Sequence, residues 1–194
     1  MKNYLSLVIA LLTLLGSAQS QHINIGIKGG LNIYTVNGNN YSKKSQKIAY
    51  NLGLLGHIHL KKDLALQPEI VYSVQGIKYE NNGNKVDLQL NYVNIPVLLQ
   101  YMFDNGFRLE LGPQLGVLVN AKNKVGSSNA DVSSNFKNID FGVAVGMSYV
   151  KPSTGFGIDV RYNYGFANIN TSNSINAYNR GVQVGLFYLF QHRS

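Results

Sequence analysis

Through most of the chain, apolar or aromatic side chains stand at every second position, with glycine, small or polar residues between them. From Ile139 to Tyr149 one face carries Ile139, Phe141, Val143, Val145, Met147 and Tyr149, and the other Asp140, Gly142, Ala144, Gly146 and Ser148. From Ile158 to Phe166 the apolar face is Ile158, Val160, Tyr162, Tyr164 and Phe166, opposite Asp159, Arg161, Asn163 and Gly165. A period of two places alternate side chains on opposite faces of a strand. The pattern predicts eight strands: Ile23–Thr35, Lys47–Leu60, Leu64–Tyr79, Val86–Phe103, Phe107–Asn120, Asn138–Val150, Phe156–Ile169 and Asn179–Gln191. Tight connections alternate with longer ones. Lys61-Lys62-Asp63, Asp104-Asn105-Gly106 and Lys151 to Gly155 carry hairpin chemistry, whereas Val36–Gln46, Glu80–Lys85, Ala121–Lys137 and Asn170–Tyr178 read as long polar loops.

Before the first strand, Lys2, the apolar run Leu5 to Leu15 and Ala18-Gln19-Ser20 form the three parts of a secretory signal peptide, expected to be cleaved near Ser20. Residues 21–194 are then one domain. No later apolar stretch has the length of a spanning helix. The mature chain is therefore either soluble or inserted as strands.

The composition decides between these. Only 13% of residues are charged, with 20 Gly, 13 Tyr and 8 Phe. A soluble barrel would turn its large apolar face inward and a polar face to water. Here the second face is rich in Gly and Ala with isolated charges, which suits the narrow lumen of an eight-strand barrel. Tyr101, Phe103, Phe107, Phe141, Tyr149, Tyr188 and Phe190 fall near the ends of apolar faces, as interfacial girdles require. The fold expected is all-β: a closed, antiparallel, up-and-down transmembrane barrel of eight strands in the outer membrane of a Gram-negative cell. Closure follows because no water inside a bilayer satisfies an open sheet edge.

The residues also carry a resemblance. Gly26-Ile27-Lys28-Gly29-Gly30-Leu31-Asn32, Gln67-Pro68-Glu69-Ile70-Val71-Tyr72-Ser73 with Gly76, and Tyr92 to Tyr101 around Ile95-Pro96 follow one another along the chain. Gly112-Pro113-Gln114-Leu115-Gly116, Asp140-Phe141-Gly142 to Gly146, and Arg161-Tyr162 with Gly165 continue the series. In this order they resemble the PorT-like outer-membrane β-barrel family, the outer membrane protein beta-barrel domain, over essentially the whole mature chain. The resemblance implies a non-enzymatic barrel with a scaffold or assembly role, and it permits a link to protein secretion and to secretion-system proteins. Asn94 and Gln100 depart from it, standing where the family often has Glu and Lys. Gln183, Gly185, Tyr188 and Phe190 resemble the last-strand signal read by the barrel-assembly machinery, although Gln191 to Ser194 overrun it.

Six charges fall on the expected inner face: Lys28, Glu69, Arg108, Glu110, Asp159 and Arg161. A narrow lumen would force them to pair, because unpaired buried charge is costly. The expected outcome is a structural charge network; a small ion or solute channel is the alternative. His57 and His59 share a face but lack an identifiable third ligand, so no metal or cofactor is expected. No Ser, His and acid are placed to meet on the lipid face, which leaves a lipid-modifying enzyme as a distant alternative. The apolar phase shifts from Leu88, Leu90 and Tyr92 to Val93, Ile95, Val97 and Leu99, which predicts a β-bulge around Tyr92–Pro96. The net charge of +8 comes from dispersed lysines and arginines, a pattern that does not suit nucleic acid. Lys43, Lys44, Lys122, Lys124 and Lys137 in the long loops would instead stand near outer-membrane lipid and lipopolysaccharide.

Overall fold

In the computed structural model, residues 23–38, 42–81, 83–126, 128–172 and 174–190 are described. The leader expected at residues 1–20 lies outside them, as does the end of the last strand beyond Phe190. Among the described residues nine strands form in chain order: β1 (Ile23–Gly38), β2 (Ser42–His59), β3 (Leu64–Asn81), β4 (Asn84–Met102), β5 (Phe107–Val125), β6 (Ser128–Asp131), β7 (Ile139–Val150), β8 (Phe156–Gly165) and β9 (Ala177–Leu189). Eight of them pair antiparallel with their neighbours in a ring. The ring shuts where β1 meets β9, from Gly26 opposite Leu189 to Gly38 opposite Ala177. The extra strand β6 folds back on the end of β5, inside the stretch expected to be a loop.

The large apolar side chains point outward. Phe141, Tyr162 and Leu186 are exposed, whereas Asp159 and Arg161 are 2% and 1% exposed. In β1 the outward run goes from Ile23 to Ile33, and in β9 from Val182 to Phe190, about the ten residues that a tilted strand needs to cross hydrocarbon. Aromatic rings mark both edges of this belt. At the short-turn end Tyr101, Phe103 and Phe107 stack in series, with ring centroids 5.0 and 5.7 Å apart, and Tyr188 lies between Phe156 and Phe190 at 5.2 and 5.3 Å. At the other end Tyr164 and Phe166 are 5.3 Å apart, and Phe141 and Phe166 6.3 Å. Both ends of the described chain, Ile23 and Phe190, lie at the short-turn end, which is the periplasmic end in barrels of this type.

Two expectations need correction. Three of the four long connections are mostly strand or hairpin. β1 and β2 run to Gly38 and from Ser42, β5 continues into the β5–β6 hairpin, and β3 and β4 meet at Asn81 opposite Asn84 around Gly83, whose φ is +80°. Hydrogen-bonded hairpins tolerate polar side chains on both faces once they leave the bilayer, so their composition resembles that of loops. The bulge expected in β4 is the second correction. β4 alternates without interruption, with Tyr92, Asn94, Pro96, Leu98 and Gln100 all buried on the inner face. The extra residue is Val119 of β5: Tyr92 pairs with Leu118, and Asn91 with Asn120. The apolar phase in β4 shifts because the interior itself changes from polar to apolar toward the outer end.

Candidate functional site

The lumen is filled in layers. Nearest the periplasm, Leu55, Val150, Phe187 and Leu189 form an apolar cluster, and the Phe187 ring occupies the space that a Cβ on Gly157 would need, 2.1 Å away. His57 is fully buried and stacks edge-on against His59, with ring centroids 4.6 Å apart.

Above this layer lies the charge network. Arg161 of β8 reaches across to β3, where its Nη1 and Nη2 donate to Glu69 Oε2 and Oε1, each at 3.0 Å. Its Nε donates to Glu110 Oε1 of β5 at 2.9 Å. Lys28 of β1 stands between Glu69 and Asp159, at 3.3 and 3.1 Å. The amides of Gln67 and Gln100 donate to Glu69 Oε1 and Glu110 Oε2, both at 2.8 Å. Gln100 thus serves the network through its amide. Five of the six expected charges meet here. Arg108 does not: it is buried opposite Ser148, nearer the periplasm, and makes no ion pair with a described residue.

The next layer is built of amides that the inner-face charges gave no reason to single out. From Gln46 to Asn51, β2 advances one residue more than β3 does between Ile77 and Ser73, and the ladder is interrupted there. The Asn32 amide of β1 bonds into the gap, with Nδ2 shared between Tyr50 O, Ser73 Oγ and Val74 O at 3.1, 2.9 and 2.9 Å. Asn51 Nδ2 donates to Asn32 Oδ1 at 2.8 Å. A carbonyl left unbonded inside a membrane costs several kcal/mol, so one side chain repairs what the bulge breaks. Nearby, Asn163 donates to Tyr34 Oη at 2.7 Å, and Asn179 to Asp140 Oδ2 at 2.8 Å. These groups border a residual cavity of about 10 Å³, room for about one water. Inner-face parity was the available signal for all of them.

The outer mouth is closed by an apolar cap of Val36, Ile77, Leu88, Leu90, Tyr92, Ala121 and Ala177, with Phe136 and Ile169 supplied by the two connections that flank β7 and β8. Those connections hold each other: Lys137 N–H donates to Ile169 O at 2.7 Å, and Thr171 N–H to Asn135 O at 3.1 Å.

The sequence matches the model of the outer membrane protein beta-barrel domain over residues 17–171. The chain belongs to that family. Among solved structures, this barrel domain is similar to Neisserial surface protein A, with 16% identity, a TM-score of 0.54, and 89% of this chain and 100% of that one covered. It is also similar to Ail, the attachment invasion locus protein of Yersinia pestis, with 14% identity, a TM-score of 0.52 and the same coverage. At these identities the likeness is one of fold. No curated protein matches the barrel domain by sequence. The protein is thus an integral outer-membrane barrel, and its apolar wall faces acyl chains.

The last strand of this barrel domain places Gln183 and Gly185 toward the lumen and Tyr188 and Phe190 on the lipid-facing side. Beyond the belt, the described strands and connections carry Lys43, Lys44, Lys47, Lys78, Lys85, Lys122, Lys124, Lys137 and Arg180 against Glu80, Asp87 and Asp131. Most of the chain's surplus of positive charge therefore sits at the outer rim. Lys78 escaped the sequence reading because it falls in an expected strand, and Lys85, at the end of an expected loop, was not singled out.

Proposed function

We propose that this protein is a sealed, non-enzymatic scaffold of the outer membrane, which presents its outer rim and conducts nothing. The observation that carries this reading is the filled lumen, in which Lys28, Glu69, Glu110, Asp159 and Arg161 are each no more than 3% exposed. Apolar clusters close off the charges from both ends. Reconstitution of the purified barrel in planar bilayers tests it: the expected trace is silent, and stepwise conductance would establish the channel instead. A lipid-modifying role fits poorly, since His57 is buried in the lumen and His59 stacks upon it, away from the acyl chains.

The series of motifs extends the proposal to a PorT-like assembly role in protein export, with secretion-system proteins as partners. Supporting it, Gly30, Asn32 and Gly76 of those motifs all sit at closure or bulge positions of the wall. Deleting the gene should deplete surface-exported proteins, and an unchanged set of exported proteins would remove this extension. Delivery by the barrel-assembly machinery through Gln183, Gly185, Tyr188 and Phe190 belongs to the same reading. So does contact of the boundary cations Lys122, Lys137 and Arg180 with lipopolysaccharide.

A further inference from the structure

The charges inside the barrel leave one side chain over. Among the described residues the buried cations are Lys28, Lys47, Arg108 and Arg161, and the buried acids are Glu69, Glu110, Asp140 and Asp159. Lys47 is held by Asp87 of β4. Lys28, Arg108 and Arg161 then cancel Glu69, Glu110 and Asp159. Asp140 is left without a counter-ion, since no salt bridge joins it to a described residue and the Asn179 amide bonds only its Oδ2. We infer that the cavity beside Asp140 holds one alkali-metal cation of about the size of potassium, enclosed as the barrel closes.

The lining supplies the coordination. Asp140 of β7, Asn163 of β8 and Asn179 of β9 border the cavity with Tyr34, Gln75 and Gln114. Asp140 Oδ1, Asn163 Oδ1 and Asn179 Oδ1 are buried and have no hydrogen-bond partner. The nearby donors are committed: Asn163 Nδ2 donates to Tyr34 Oη and Gln183 Oε1, and Gln75 Nε2 to Ser73 Oγ. Every unpartnered buried side-chain atom on this lining is thus an oxygen. Gly116, Gly142 and Gly165 keep the space open, and a Cβ on Gly165 would stand 3.4 Å from Asp140 Oδ1.

Charge and size select the occupant. The void, about 10 Å³, admits one body the size of a water molecule. A water has two hydrogens to offer three oxygens, and it leaves the carboxylate uncompensated inside the lumen, which is costly. A cation meets all three oxygens at once, as the carbonyl oxygens of potassium-channel filters do in place of a hydration shell. One carboxylate with neutral amides matches a single positive charge. Among the described residues no three of His, Asp and Glu gather as a divalent or transition-metal ion would favour.

Refolding the mature barrel into lipid vesicles in potassium chloride, or in choline chloride at equal ionic strength, tests this, because choline is too large for the cavity. The unfolding equilibrium constant should be about tenfold smaller in potassium, the effect of a site filled at about ten times its dissociation constant. Asp140→Asn should abolish the difference, whereas Asp104→Asn, in an exposed periplasmic turn, should keep it. Crystals of the parent barrel grown in a thallium(I) salt, a heavy stand-in for potassium, should show an anomalous peak at the cavity. Equal stability in the two salts, a potassium effect that survives in Asp140→Asn, or a cavity without the peak would each overturn the inference. Conductance reads passage through the lumen and not occupancy of a closed cavity, so this test and that of the sealed barrel fail separately.

Discussion

Arg161 and Glu69 sit on β8 and β3 and close a bidentate pair across the lumen, with both N···O distances at 3.0 Å. Removing Arg161 alone leaves Glu69 and Glu110 short of a cation; removing Glu69 as well leaves Lys28 paired with Asp159 and only Glu110 without its guanidinium. Arg161→Met should cost about 3–5 kcal/mol in equilibrium unfolding from lipid vesicles. Arg161→Met/Glu69→Leu should recover part of that loss. A double variant as unstable as the sum of its two singles would show that the pair is not coupled.

Gly30 lies directly opposite Gly185 at the closing seam, and a Cβ there would stand 2.1 Å from Val184 O. Gly30→Ala must push β1 away from β9. The expected result is slow or incomplete barrel formation, read as lost β-signal in circular dichroism after dilution into vesicles. Gly29→Ala is the control, because its nearest contact would be an ordinary 3.4 Å.

Asn32→Leu leaves the carbonyls of Tyr50 and Val74 without its amide. A loss of about 1–3 kcal/mol is expected, together with faster amide exchange confined to the β2–β3 bulge. Uniform exchange across the whole barrel would argue against a local repair role.

Asp131 gives a pH prediction at the outer rim. The Ser133 backbone N–H donates to Asp131 Oδ1 at 2.8 Å and, as the largest cause, holds that carboxyl below its usual value of 3.8. A depressed folded pKa stabilises the turn at every pH above the unfolded value, and the contribution fades as pH falls through the lower folded value. The protection of the Ser133 amide, corrected for the intrinsic pH dependence of exchange, should therefore stay constant down to about pH 4 and fall below it. In Asp131→Asn it should lose that acid dependence.

The eight-strand ring was legible because bilayer and lumen impose opposite demands on neighbouring residues, so Phe141 beside Asp140 or Tyr162 beside Arg161 already assigns both faces. The charge layer was legible for the same reason, since few side chains other than ions stand out among inner-face Gly and Ala. Arg108 marks the limit of parity, which gives the face but neither depth nor partner. The bulge went to the wrong strand because Tyr92 and Leu90 are apolar and inward at once, a combination that alternation reads as a slip. Asn32 was visible only as a motif letter. Its role depends on an interruption between two other strands, which no local window contains. Gly76 is clearer in hindsight: with φ at +129° and a would-be Cβ 2.1 Å from Leu88 O, no other residue fits there.

The continuation of β2 to β5 past the lipid makes the exterior tip a stiff mast rather than a set of tethers. A molecule alighting on it meets side chains whose backbone is already in place, so little ordering opposes the encounter. Association should then proceed at a pace governed by diffusion and ionic strength, with no slow phase of accommodation.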